Sequence, residues 1–201
     1  MPPAPDRCPR CAFPTALCLC AEVPRLRAPV RFLIVRHASE RERMTNTARW
    51  AALALPGTEI LEHGLPGEPL ALPDLAAAGA VALFPSPVPT PPPAAPPRLV
   101  VVPDGTWSQA RRMMQRIPAL QRLPRLTLGG PPDGLRLRRP PRADGMSTLE
   151  AMAGALSALG APDAAERLLG LHAVAVERVL RLRGTWEAGC AEAAHGHLPR
   201  A

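Results

Sequence analysis

The sequence predicts an α/β protein with a largely parallel sheet flanked by helices. Short apolar runs alternate with stretches of helical periodicity, and several polar residues follow directly after the apolar runs. The 201 residues suffice for one sizeable core, so any second unit has to be small. We expect a cysteine-rich unit at 1–28, a main domain at 29–160 and a helical extension packed on it at 161–201.

Strands are predicted where short apolar runs are bounded by turn residues. The segment from Pro85 to Pro97 separates two of them, and eight of its 13 residues are proline, so it forms an extended loop. The predicted strands are 29–37, 58–61, 80–84 and 98–102, with weaker ones at 125–128 and 135–138.

Helices are predicted from apolar periodicity and from capping signals. Ser39 and Glu42 have the spacing of a capping box at the start of one helix, and a second helix is expected from about Ser108 to Ala119. Further helices are expected to begin at Ser147 and Asp163, each with a glutamate three residues later.

The composition favours a soluble protein with an anionic partner. The formal net charge is +7, and all 24 basic residues are arginines, although a GC-rich genome would produce the same bias. No apolar stretch reaches the roughly 20 residues of a membrane span, and no signal-peptide layout is seen. We expect a cytoplasmic protein without a membrane partner.

Four cysteines at the amino terminus predict a metal site. Cys8, Cys11, Cys18 and Cys20 have the spacing C-x2-C-x6-C-x-C. Without an export signal, metal binding explains them better than disulfides, and four thiolates suit one structural zinc ion. Redox chemistry and an iron-sulfur cluster are the alternatives. Four protein ligands leave no open position for metal catalysis.

The residues at the strand ends are the candidates for function. In parallel α/β sheets, ligands bind beyond the carboxyl ends of the strands, where His37, Phe84 and the sequence 104–107 are expected to lie. Each also has a structural explanation. Asp104 would cap a helix, Trp107 would belong to the core, and Ser147 with Glu150 forms a complete capping box.

The combination of motifs resembles the DTW-domain family. The resemblance is carried by "DGTW" at 104–107, by "HASE" at 37–40 in the place of the family's H-x-x-E element, and by "STLEA" at 147–151. The cysteine knuckle and "LFPS" at 83–86 are similar to the bacterial branch. Ala38 is a departure, because the relatives usually have proline there.

The resemblance implies a fold similar to the knotted SPOUT methyltransferases and a tRNA-uridine aminocarboxypropyltransferase. Such enzymes transfer the 3-amino-3-carboxypropyl group of S-adenosylmethionine to N3 of uridine, giving acp3U and methylthioadenosine. Uridine N3 needs a positioned base. Asp104 is the first candidate, either as the base or as a group that orients the uracil, and His37 is the second.

The resemblance implies tRNA as the macromolecular partner. Arginines cluster in the sequence just after the DGTW motif, and Arg111, Arg112, Arg116 and Arg139 are the expected RNA contacts, with a solvated helix face as the alternative explanation. The residues expected to bind S-adenosylmethionine lie at strand ends, in the DGTW turn and near Ser147. They are Leu83, Phe84, Pro85, Val102, Thr106, Trp107, Arg138, Ser147, Thr148 and Glu150.

Three other functions remain open from the sequence. A SPOUT-like methyltransferase would use the same co-substrate, an aminocarboxypropyltransferase acting on ribosomal RNA would share the fold, and a non-catalytic zinc-knuckle protein would bind RNA alone. We expect a monomer.

Overall fold

The computed structural model describes residues 7–86, 96–130, 136–137 and 145–184. Its main elements up to residue 126 are a strand, a helix, three strands, two helices and a fifth strand, and two further helices follow. The strands are β1 (Arg31–His37), β2 (Glu59–His63), β3 (Ala80–Leu83), β4 (Leu99–Asp104) and β5 (Arg125–Leu126). The helices are α1 (Thr47–Ala54), α2 (Trp107–Arg116), α3 (Pro118–Gln121), α4 (Thr148–Ala158) and α5 (Pro162–Leu182).

The five strands form one parallel sheet in the order β2-β1-β4-β3-β5. The prediction of an α/β fold with a largely parallel sheet is therefore confirmed. From β1 the chain continues to β2 on one side of the sheet, and from β4 it continues to β5 on the other. β1 and β4 are neighbours, and the chain leaves their carboxyl ends in opposite directions. Open α/β sheets bind ligands in the crevice that forms at such a point.

Each face of the sheet has its own apolar cluster, because successive strand residues point to opposite faces. Phe32 and Ile34 of β1 belong to the cluster formed with α1, α4 and α5, and we call this side the α4 face. Leu33 and Val35 belong to the cluster formed with α2 and α3, which we call the α2 face. The polar residues that end the strands continue the same alternation.

The cysteine-rich segment packs on the main core. Phe13 and Leu19 are fully buried in the cluster of the α4 face, and the Phe13 ring lies 5.4 Å from the ring of Trp50. The Trp50 indole N–H donates a hydrogen bond of 3.3 Å to the carbonyl of Cys11. The segment thus shares its core with the sheet, and the proposed division at residue 28 stays a prediction.

The predicted start of the first helix is wrong. Ala38–Glu40 form a 3-10 turn, and α1 begins only at Thr47, with the Asn46 side chain accepting a hydrogen bond from the amide of Arg49. The Ser39 hydroxyl lies 2.9 Å from His37 Nδ1 and so is engaged away from any helix end. The capping-box spacing of Ser39 and Glu42 therefore has no structural counterpart.

The carboxyl-terminal predictions had mixed outcomes. Ser147 and Glu150 form a capping box at the start of α4, as predicted. Asp163 does not cap α5, because Pro162 occupies the first helical position and its fixed φ begins the helix without a side-chain cap. Of the strand predicted at 135–138, only 136–137 are described, and these two residues are not in a strand.

None of the helices in the described ranges is long and apolar enough to span a membrane.

Candidate functional site

A cleft of about 430 Å³ opens at the carboxyl ends of β3 and β4, between the DGTW turn and the start of α4. Its volume lies in the range of small-molecule sites. All predicted S-adenosylmethionine-binding residues in the described part of the chain line it, whereas Arg138 lies outside the described residues. The lining residues are Leu83, Phe84, Pro85, Val102, Thr106, Trp107, Ser147, Thr148 and Glu150.

Asp104 ends β4 and turns its carboxylate into the wall of this cleft. The residue is 4% exposed. Oδ1 accepts a 2.6 Å hydrogen bond from the Thr148 hydroxyl, and Oδ2 accepts a 2.8 Å bond from Nδ2 of Asn46. Burial raises the pKa of Asp104, and the two hydrogen bonds and the charge of Arg36 oppose that rise.

On the α4 face, a series of buried hydrogen bonds determines which group of Asn46 faces Asp104. Arg36 pairs with Asp104 across β1 and β4 and forms an ion pair with Glu62 of β2. Its Nη1 donates to Oδ1 of Asn46 at 3.4 Å. Since that oxygen also accepts from the amide of Arg49, the Asn46 side chain presents its NH2 group to Asp104.

The DGTW turn is closed without help from Asp104. Thr106 and Gln109 form the capping box of α2, with the Thr106 amide donating to Gln109 Oε1 at 2.8 Å. A Cβ atom at Gly105 would lie 2.9 Å from that oxygen, so a larger residue there would displace the Gln109 side chain from its capping position. The explanation of Asp104 as a helix cap is wrong, and its carboxylate is left for the cleft.

Two aromatic rings form one wall of the cleft. Phe84 and Trp107 are stacked with ring centroids 5.1 Å apart, and both line the cleft. The guanidinium carbon of Arg125 lies 5.7 Å from the Phe84 ring centroid, within the range of a cation-π contact. Such a surface suits a planar heterocycle, since base-aromatic stacking tolerates any base.

The start of α4 contributes polar groups to the opposite wall. Glu150 accepts a 2.6 Å hydrogen bond from the Ser147 amide, and Arg136 Nε lies 3.6 Å from its other oxygen. The amides of Thr148 and Leu149 lie in the first helical turn, where no intrahelical acceptor is available. Thr148 lines the cleft, so its amide can donate to an anionic group bound there.

The predicted site omits several buried cleft residues, among them Glu40, Asn46 and His172. Glu40 Oε1 is buried without a hydrogen bond, although Arg43 Nε lies 3.2 Å away in a poorer geometry. Burial lowers the pKa of His172, whose Nε2 lies 3.5 Å from the Ser147 hydroxyl. Glu40 ends the HASE motif and Asn46 has the pattern of a helix cap, but no sequence signal marks His172.

His37 does not line the cleft. It ends β1 on the α2 face, where a separate cavity of about 110 Å³ is lined by His37, His63, Gln109, Arg112, Met113 and Arg116. Two predicted RNA contacts, Arg112 and Arg116, thus share a cavity with His37. Arg111 is exposed on α2 and lines neither of these two cavities, and Arg139 lies outside the described residues. The predicted catalytic role of His37 stays a prediction.

The four amino-terminal thiols are placed to bind a metal ion. Their Sγ atoms lie within 4.8 Å of one another, with Cys8 to Cys20 and Cys11 to Cys18 both at 3.7 Å. Four sulfurs at about 2.3 Å from a tetrahedral zinc ion are about 3.8 Å apart. The amide of Leu19 also donates to Cys11 Sγ at 3.4 Å. The arrangement is compatible with structural zinc.

Comparison with known proteins identifies one family. The family model described as DTW domain matches residues 5–180, which includes the cysteine cluster, the sheet and most of α5. No solved structure matches the chain.

Removal of the metal is expected to destabilise the whole protein, because the cysteine segment shares the core of the α4 face. Purified protein should contain one metal ion per chain by plasma mass spectrometry. Cys20→Ser should lower the Tm by about 10 °C, since a loss of a few kcal/mol has that effect in a chain of this size. Cys190→Ser leaves the four clustered thiols intact and serves as the control. Metal-free protein with an unchanged Tm would contradict the assignment.

Asp104→Asn is expected to raise the Tm at neutral pH. The raised pKa keeps a proton on folded Asp104 that the unfolded chain loses above the ordinary value of 3.8, so wild-type stability falls as pH rises toward the folded pKa. Asparagine has no such proton, and its amide can donate to Thr148 Oγ1 while its oxygen accepts from Asn46. The Tm difference, measured by calorimetry from pH 4 to 8, should grow with pH.

The control for this measurement is Asp163→Asn, because Asp163 is exposed on α5. A variant less stable than the wild type at pH 8 would show that ionised Asp104 stabilises the fold.

Proposed function

The chain belongs to the DTW-domain family, which is associated with tRNA modification, and from that premise we propose that it is a tRNA-uridine aminocarboxypropyltransferase. It transfers the 3-amino-3-carboxypropyl group of S-adenosylmethionine to N3 of a tRNA uridine, and the products are acp3U and methylthioadenosine. The observation that carries the proposal is the buried Asp104 carboxylate, which faces a cleft of small-molecule size and has no structural duty at the helix start.

The reaction needs a base near uridine N3. A bond forms between N3 and the carbon beside the sulfonium, the carbon-sulfur bond breaks, and its electron pair stays on sulfur as a neutral thioether. The N3 proton passes to Asp104. Its raised pKa makes the carboxylate a stronger base than an exposed one, and Thr148 and Asn46 hold both oxygens in place.

The walls of the cleft match the chemistry of S-adenosylmethionine. Phe84 and Trp107 offer a stacking surface for adenine or for the uracil. The first-turn amides of α4 suit the carboxylate of the transferred group. The buried Glu40 oxygen suits its ammonium, since among the described residues it accepts no well-aligned hydrogen bond and has an ion pair of poor geometry with Arg43. Each assignment is a binding role and follows from the donor or acceptor present.

The remaining parts of the proposal concern the partner and the fold. tRNA is the proposed partner, bound through arginines of α2 such as Arg111, Arg112 and Arg116. A base that reacts at N3 has to leave its stack to enter the cleft. We also propose that the fold is related to the knotted SPOUT methyltransferases and that the metal of the cysteine cluster is zinc. The parallel sheet and the sulfur spacing support these two statements.

The test is mass spectrometry of nucleosides from unmodified bulk tRNA that was incubated with the metal-loaded protein and S-adenosylmethionine. Wild type should produce acp3U and release an equal amount of methylthioadenosine. Asp104→Asn should lower the rate by about 100-fold or more, the usual contribution of a general base. Thr148→Val, which removes one hydrogen bond to Asp104, should retain intermediate activity.

Asp163→Asn is the matched control, because it makes the same chemical change at an exposed position and should leave the rate unchanged. A methylated nucleoside in place of acp3U would replace the proposal with a methyltransferase. tRNA binding without any product would indicate a binding protein, and acp3U formed equally by Asp104→Asn would remove Asp104 from the chemistry.

A further inference from the structure

The small cavity on the α2 face is a second polar site, separated from the cleft by the DGTW turn. His37 of β1 and His63 of β2 are paired in the sheet. They directly follow Arg36 and Glu62, which form an ion pair on the other face of the sheet. Helix α2 supplies Arg112 and Arg116, one turn apart, to the same cavity. At about 110 Å³ the cavity is too small for a nucleoside, and small-molecule sites are typically about 300 Å³ or larger.

The hydrogen bonds of His37 determine which of its nitrogens carries the proton. Nδ1 accepts from the amide of Ser39 at 3.2 Å and lies 3.2 Å from Nε2 of Gln109. Gln109 Oε1 is bound to the Thr106 amide, so the nitrogen of Gln109 is the group that faces His37 and can only donate. The neutral imidazole therefore carries its proton on Nε2 and offers a donor there.

The cavity is lined by donors and contains no acid. None of its lining residues is a carboxylate, and the sulfur and methylene groups of Met113 supply its apolar part. No ion pair joins Arg112 or Arg116 to an acidic side chain within the described ranges. Two like charges one helical turn apart repel each other, and an anion between them would remove that repulsion.

Gly105 places this cavity directly behind the candidate active site. A Cβ atom there would lie 3.4 Å from Cβ of His37, while the preceding residue, Asp104, faces the cleft. A strand that delivers a base into the cleft must carry its backbone past this turn. The backbone phosphates next to that base are therefore the anions nearest to the cavity.

We propose that the cavity formed by His37, His63, Arg112 and Arg116 binds a backbone phosphate of the RNA strand, beside the nucleotide whose base enters the cleft. This assignment rests on the proposed function, because it takes the macromolecular substrate to be RNA. The arginines contribute charge and forked donors, and His37 contributes the Nε2 proton. His37 is then a residue that positions the substrate, and proton removal belongs to Asp104.

The experiment compares Arg112→Gln/Arg116→Gln with wild type in binding to unmodified bulk tRNA across a series of salt concentrations. Both arginines are exposed, so the double variant is expected to fold normally. Loss of one phosphate contact should reduce the slope of log affinity against log salt by about 1. The control is Arg25→Gln/Arg167→Gln, which removes the same charge at exposed positions that do not line the cavity and have no assigned RNA contact.

Phosphate ethylation interference then locates the contact. In the double variant, and more weakly in His63→Gln, interference should disappear at a phosphate adjoining the modified uridine, while the control retains the wild-type pattern. An unchanged slope and an unchanged pattern in the double variant would overturn the inference.

The same experiment separates this inference from the proposed function. If wild type forms acp3U but the double variant keeps the full salt slope, the phosphate site is wrong and the reaction stands. If wild type forms no acp3U but the variant loses a phosphate contact, the site stands in a protein with another activity.

Discussion

The burial of one carboxylate constrains the whole candidate site. Asp104 is removed from water at the end of a central strand, and among the described residues its carboxylate accepts hydrogen bonds from two side chains, Asn46 and Thr148. Those donors come from segments that lie far apart in sequence, the loop before α1 and the first residue of α4. The carboxylate therefore ties the end of β4 to the loop before α1 and to the start of α4. An ionised group held in this way costs stability, which is a common property of functional sites.

Strand alternation divides the polar residues at the sheet's end between two compartments. Arg36 and Asp104 point to the α4 face, where they meet the cleft and its buried network. His37 and His63 come one position later and point to the α2 face, where they meet the arginines of α2. Asp104 and the next residue, Gly105, are divided in the same way, because Asp104 faces the cleft and Gly105 lies beside His37. A single turn thus separates a cleft that contains the carboxylates of Glu40, Asp104 and Glu150 from a cavity lined by histidine and arginine.

The strands and helix starts that depend on local patterns were predictable from the sequence. The apolar run before Asp104 reads as a buried strand, and Ser147 with Glu150 forms the expected capping box. Local patterns failed where a side chain had a distant partner. Ser39 has the spacing of a helix cap, but its hydroxyl contacts His37 and Gln109. The Asn46 side chain caps α1, and its amide nitrogen also donates a hydrogen bond to Asp104, which lies 58 positions away in the chain.

The candidate site shows the same limit. Its strand-end residues were predictable because parallel strands bring their carboxyl ends together. His172 was not, because an isolated histidine in an otherwise apolar helical stretch is indistinguishable from a core residue. The separation of His37 from the cleft was also not predictable, because the motif that contains it gives no information on which face of the sheet it points to.

The most direct test of the account is the pH dependence of acp3U formation under single-turnover conditions with saturating S-adenosylmethionine. If buried Asp104 is the base, the logarithm of the wild-type rate should rise with pH through a pKa above the ordinary 3.8, and this rising limb should be absent from the residual rate of Asp104→Asn. A wild-type profile with the same shape as that of the variant would contradict the central claim.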